Sequence, residues 1–177
     1  MPFYALAALG LWLARPTLAG LVAGGLVVAL GCALRLWGAG HLVKTEQLTL
    51  SGPYAHLRHP LYAGTLLIAI GFGAMAGRAA LLLVLLVFLP IFFAYYLPYK
   101  ERVESERLLE RYGEPYARYR EAVPALVPRA SAWRAPALDA ADPGRRWSVA
   151  RASENDEFGV LLGALFGSGL LVLRFWA

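Results

Sequence analysis

The chain has 177 residues, enough for about one domain. It is 59% hydrophobic and only 16% charged, with a mean hydropathy of +0.53, where a soluble domain is nearer half apolar and about a quarter charged. That balance excludes an ordinary soluble enzyme and describes a polytopic membrane protein, and the net charge of +5 is what membrane-flanking loops collect, with no nucleic acid needed to explain it.

Pro2 to Ala14 is apolar and aromatic, and Arg15-Pro16 ends it. At about 1.5 Å per residue it falls short of a ~30 Å hydrocarbon core, so it reads as a tilted half-hairpin or an interfacial helix. Met1 to Ala14 has no basic stretch before its apolar run, which argues against a signal peptide. Thr17 to Trp37 is long enough to span, and Gly20, Ala23, Gly24 and Gly31 allow close helix packing. Arg35 and Trp37 mark its end at an interface. Cys32, the single cysteine, lies inside this run; intrachain disulfides and a Cys-rich metal site are excluded, and it reads as a packing residue.

Gly38 to His59 is a polar loop, and Lys44-Thr-Glu-Gln-Leu-Thr-Leu-Ser-Gly-Pro within it has no strong period. Leu61 to Ala76 is apolar and glycine-rich, Gly77-Arg78 is a tight turn, and Ala79 to Leu97 returns, with Pro98 expected to end it. A hairpin that tight puts both its ends on one side, so loop 38–59 and segment 99–157 share a compartment. Tyr99 to Tyr112 is expected to be helical, with Gly113 as a stop and Pro115 as a restart. Leu109, Tyr112, Tyr116, Tyr119 and Val123 then fall on one face. Ala130 to Arg151 reads as a linker, so that 1–128 is the core, 129–157 the connection, and 158–177 a C-terminal spanning helix. The expected fold is all-α: a polytopic membrane bundle of about five helices with a cytoplasmic amphipathic helical segment. Thirteen of the seventeen Lys and Arg lie in 38–59 or 99–157, which the positive-inside rule assigns to the cytoplasm.

Chemistry is concentrated where these two polar stretches meet. No acidic residue occurs from Met1 to Thr45. Gly52 to Gly64 reads G-P-Y-A-H-L-R-H-P-L-Y-A-G. Pro60 suits the first position of a helix, so Arg58 and His59 sit at a helix N-terminus, an end that favours an anion. The plainer reading is a positive-inside anchor. Glu104 is either a carboxylate aimed at a ligand or a solvated partner of Arg107, and spacing alone favours the second. Gly71 and Gly73, either side of Phe72, are read from spacing as close helix packing, with ligand contact the sharper alternative. His41, His56 and His59 lack metal-ligand spacing, and no metal site is expected.

The pattern G-P-Y-x-x-x-R-H-P-x-Y-x-G, followed some forty residues on by V-E-x-x-x-x-L-x-x-Y-G-x-x-Y-x-x-Y-x-x-x-V-P-x-x-x-P, resembles the isoprenylcysteine carboxyl methyltransferase and phospholipid methyltransferase superfamily. The resemblance covers roughly Leu34 to Pro128. It implies an integral membrane methyltransferase that uses S-adenosylmethionine, with His59, Tyr62 and Gly64 at the cofactor, Gly71 and Gly73 matching a glycine pair, and Glu104 matching the first acid of a Glu-Glu pair. The second acid is Ser105 here, with Glu106 one place later, so either Glu106 substitutes or cofactor binding differs. From the chemistry of that cofactor Arg58 and Glu104 are the candidate catalytic residues and Arg111 and Tyr116 the candidate substrate contacts, for a lipophilic or small thiol, carboxylate or amine acceptor reached from the bilayer; the bacterial inner membrane is the expected location. The competing readings are a sterol-type membrane reductase using NADPH and a non-enzymatic scaffold of the same fold.

Overall fold

The computed structural model describes residues 9–43, 48–134 and 146–177. Among the described residues every regular element is helical. We name α1 Leu18–His41, α2 Pro60–Ala76, α3 Arg78–Tyr112, α4 Glu114–Ala122, α5 Val149–Glu154 and α6 Glu157–Trp176. α1, α3 and α6 are long and apolar enough to cross a membrane, and α2, at 17 residues, is a shorter apolar helix. This is the all-helical membrane architecture that the composition requires. Residues 2–8 of the expected N-terminal helix, the tetrapeptide at 44–47 and positions 135–145 of the expected linker lie outside the described residues.

Pro98 does not end its helix. The chain is helical from Arg78 to Tyr112, through both Pro90 and Pro98. A proline ring clashes with the carbonyl four residues back and leaves it without its usual donor. Those carbonyls belong to Leu86 and Ala94, and both fall inside π-helical turns, Val84–Phe88 and Phe92–Tyr96. The wider turn makes room for each ring, which is why the helix carries two such turns just ahead of its two prolines.

The chain forms two compact units. The first comprises the residues up to Cys32, Thr65–Leu97 and Gly159–Ala177. Its core is small: Ala14, Val28, Met75, Ala76, Ala80, Ala164 and Leu171, with Leu21, Cys32 and Phe72 against it. α1 and α2 meet backbone to backbone, since a Cβ added at Gly24 would lie 2.5 Å from the Gly71 carbonyl, and one at Gly71 2.7 Å from that of Gly24. Gly77, at φ 108°, turns the chain into α3. Leu26, Leu86 and Leu165 are about 70% exposed (68%, 69% and 72%), a surface suited to lipid and not to water.

The second unit comprises Ala33–Gly64 and Pro98–Phe158. Leu50, Tyr116, Tyr119 and Val123 form its core, flanked by Leu48, Leu108, Tyr112, Ala122 and Trp133. The expected apolar stripe is therefore right except at its start: Leu109 is exposed and Leu108 packs. Gly113, at φ 57°, breaks the helix; Tyr112 before it packs as expected, and the next packed residue back along α3 is Leu108, four positions away, not Leu109, three away.

Two latches close this unit. In the first, residues 124–133 run beside 55–59: the Arg58 and His59 amides donate to the Pro124 and Ala125 carbonyls (2.8 and 3.0 Å), while those of Arg129 and Trp133 donate to His56 and Ala55 (3.0 and 2.8 Å). The second corrects the linker reading. The described residues after the gap fold onto the C-terminal end of α1, where Trp147, Arg151 and Asn155 donate to the carbonyls of Leu36, Gly40 and Ala39. The Ala39 and Gly40 carbonyls are among the last four of α1, which a helix end leaves open. The three donors account for α1 running on through Gly38 and Gly40 to His41, four residues beyond the expected end at Trp37.

Candidate functional site

The site lies wholly within the second unit. Pro60 is the first residue of α2, and the His59 carbonyl accepts the Ala63 amide at 3.0 Å, so His59 holds the N-cap position as the Arg-His-Pro block predicts. Latch 124–133 fixes Arg58 and His59 through their own backbone amides. Beside them runs the C-terminal part of α3, where Glu101, Glu104, Ser105, Leu108 and Tyr112 recur at helical spacing.

Between them is a cavity of about 430 Å³, within the range of small-molecule sites. Arg58, His59, Tyr62, Glu104, Arg111 and Tyr116 all line it, together with Arg107 and the apolar Leu42, Leu48 and Leu108. The cavity thus gathers six of the residues singled out in the sequence. Gly64 is buried in α2 but does not line it. Gly71 and Gly73 belong to the first unit. Gly71 supplies the close approach of α1 and α2, and Gly73 lines a separate, apolar cavity of about 390 Å³ beside Phe72 and Val84.

The polar contacts are specific. The Tyr62 hydroxyl donates to Glu104 Oε1 at 2.6 Å, and the Tyr62 ring stacks on His59 with centroids 5.2 Å apart. Glu104 is therefore held across the cavity by α2, and its partner is Tyr62. Arg58 pairs through Nη2 with Glu101 at 2.6 Å. Its Nε and Nη1, and Nε2 of His59, are buried without a partner. Buried donors are seldom left unspent in a folded protein, and three polar atoms in one cavity wall mark a place where a ligand can satisfy them.

His59 Nδ1 stands 3.7 Å from Glu104 Oε2, too far for a hydrogen bond. Burial lowers the imidazole pKa from its ordinary value; Glu104 opposes the shift, Arg58 adds to it and Glu101 opposes it again. The ring is therefore neutral at pH 7, with one nitrogen a donor and the other an acceptor. Tyr119, whose pKa burial raises far above the usual phenol range, stays protonated and donates to the Tyr54 carbonyl at 2.9 Å.

The question of the missing acid has a structural answer. Ser105 is 4% exposed, and its hydroxyl meets that of Tyr116 at 2.9 Å, which ties α3 to α4. Glu106 is exposed and does not line the cavity. The second carboxylate of the cluster is Glu101, one turn before Glu104. The sequence does carry that signal, an acid at i−3 from Glu104 on the face that Ser105 and Leu108 continue. Among the described residues no group of three or more His, Cys, Asp or Glu side chains is placed to hold a metal ion.

A membrane-embedded helical chain with this cavity belongs to a recognisable class. The phospholipid methyltransferase family model matches residues 17–115, more than half of the chain, and the chain belongs to that family. Two curated relatives are similar to it. The cobalt-zinc-cadmium resistance protein CzcN of Cupriavidus metallidurans is 38% identical over 116 residues, 64% of this chain and 51% of that protein. The nickel-cobalt-cadmium resistance protein NccN of Alcaligenes xylosoxydans xylosoxydans is 33% identical over 117 residues, 64% of this chain and 52% of that protein. The chain therefore spans about half the length of these relatives. No solved structure matches it significantly.

Proposed function

We propose that this chain is an S-adenosylmethionine-dependent methyltransferase that modifies a lipophilic acceptor at the cytoplasmic face of a membrane. The observation that carries the reading is the set of unpartnered buried polar atoms, the donors Nε and Nη1 of Arg58 and the ring nitrogen Nε2 of His59, beside a cavity that the Glu104 carboxylate also lines. That donor and acceptor set fits the cofactor. A guanidinium with free donors suits an amino-acid carboxylate, and a positioned glutamate suits a ribose diol. Aromatic faces suit a sulfonium cation.

When bound, S-adenosylmethionine supplies a methyl group on a sulfonium sulfur, ready for in-line displacement. The chain's own work is then positioning and exclusion of water. Arg58, kept in place by Glu101, binds the anionic end. Tyr62 keeps Glu104 facing the cavity. The neutral His59 adds no positive charge beside a cationic methyl donor. For an amine acceptor, Glu104 is the group placed to take a proton; for a carboxylate acceptor no base is needed, and Arg111 at the cavity wall provides the holding charge. The resistance named in the two relatives is accommodated if the methylated acceptor is a membrane component.

The test is direct. Purified protein is titrated with adenosylhomocysteine, then incubated with labelled S-adenosylmethionine and a membrane lipid extract. Saturable binding that Arg58→Ala weakens at least tenfold, with label transferred to a lipid, is expected. Absence of binding by the intact wild-type protein refutes the proposal.

A further inference from the structure

Arg35 and Glu157 form the most deeply buried ion pair among the described residues, and the site described above does not contain them. Glu157 is wholly inaccessible and sits in the first turn of α6. Its two carboxylate oxygens accept from Arg35 Nε and Nη2 at 2.8 and 2.9 Å, a two-pronged contact. The third arm, Nη1, donates to the Leu61 carbonyl at 3.1 Å. Leu61 is the second residue of α2. It lies between Pro60 and Tyr62 and lines the cavity. Glu157 lies outside the stretch that the family model matches.

A buried ion pair is poor value as a source of stability, because removing two charges from water offsets most of their attraction. What it does supply is geometry. A planar guanidinium gripped by a carboxylate on one edge has the directions of its remaining N–H groups fixed. One of them meets the Leu61 carbonyl in the first turn of α2. Moving the first turn of α2 would move His59 and Tyr62 together, and Tyr62 reaches Glu104 through a single 2.6 Å bond.

We propose that Arg35 and Glu157 are positioning residues for the methyl-donor cavity: they fix the start of α2 so that Tyr62 stays on Glu104. The proposal rests on the cavity being the cofactor site. The test uses the full chain in lipid nanodiscs. Arg35→Met with Glu157→Leu removes both charges at similar volume, so that no lone charge is left buried. This double variant is expected to keep its melting temperature within a few degrees. Amide exchange at Ala63 and its neighbours should rise at least tenfold, and adenosylhomocysteine affinity should fall by up to about fivefold, ~1 kcal/mol. The affinity loss should be markedly less than additive with that of Tyr62→Phe, which a merely structural role would not produce. If the double variant does not fold, Arg35→Lys, which keeps the charge and loses the fork, takes its place with the same expectations. Unchanged exchange at the start of α2, unchanged affinity, or full additivity with Tyr62→Phe overturns the proposal. A wild-type protein that binds no adenosylhomocysteine refutes the function instead, and the exchange measurement still decides whether the ion pair holds α2.

Discussion

Tyr62→Phe deletes one oxygen and little else. The ring keeps its stack on His59, so the change isolates the hydrogen bond to Glu104 Oε1. A hydrogen bond to a charged group contributes about 1.5–3 kcal/mol when water cannot replace it. The Glu104 side chain is 41% exposed, so water can take over part of the lost contact. That brings the contribution below this range, to about 1 kcal/mol, or roughly fivefold in affinity. The assay is calorimetric titration of purified protein with adenosylhomocysteine, alongside the melting temperature of the unliganded protein. A fivefold loss with unchanged melting is expected. Unchanged affinity would mean that Glu104 takes no part in binding or needs no help from Tyr62. A hundredfold loss would mean that the phenol contacts the ligand itself. Either result refutes the reasoning.

Further outcomes follow from the same geometry. His59 has its folded pKa below the ordinary value near 6.5, so the unfolded chain binds more protons as the pH falls past 6.5; stability should therefore drop across that window toward the lowered value, and His59→Gln should flatten the drop in a urea or thermal series. Glu101→Gln, which breaks the ion pair with Arg58, should weaken adenosylhomocysteine binding several-fold, whereas Glu106→Gln should leave it within twofold; the reverse order would restore Glu106 as the second acid. Gly71→Val places a Cβ 2.7 Å from the Gly24 carbonyl oxygen and 2.8 Å from the Val28 nitrogen, so a stability loss of about 2–3 kcal/mol is expected, while Gly25→Ala, with open space around it, should be tolerated. A reporter fused after Pro128 should give a cytoplasmic signal, and a periplasmic one would overturn the proposed orientation.

The sequence by itself determined the kind of protein and the ingredients of its cavity. Hydropathy sets the membrane helices because backbone polar groups in lipid must pair within their own segment. Local rules also placed Pro60 at the start of α2 and Gly113 at the break before α4, because each acts through its own backbone. Tertiary structure decided what local rules cannot see. Pro98 passes through a helix because the preceding turn widens. α1 runs on to His41 because donors more than a hundred residues away cap it. Ser105 turns inward to Tyr116, which leaves Glu101 to pair with Arg58. Gly71 serves helix packing in one unit, while Tyr62 and Glu104 meet in the other. The widened turn before Pro98 aside, the deciding partner lies on another element, and periodicity and propensity carry no information about a contact between elements.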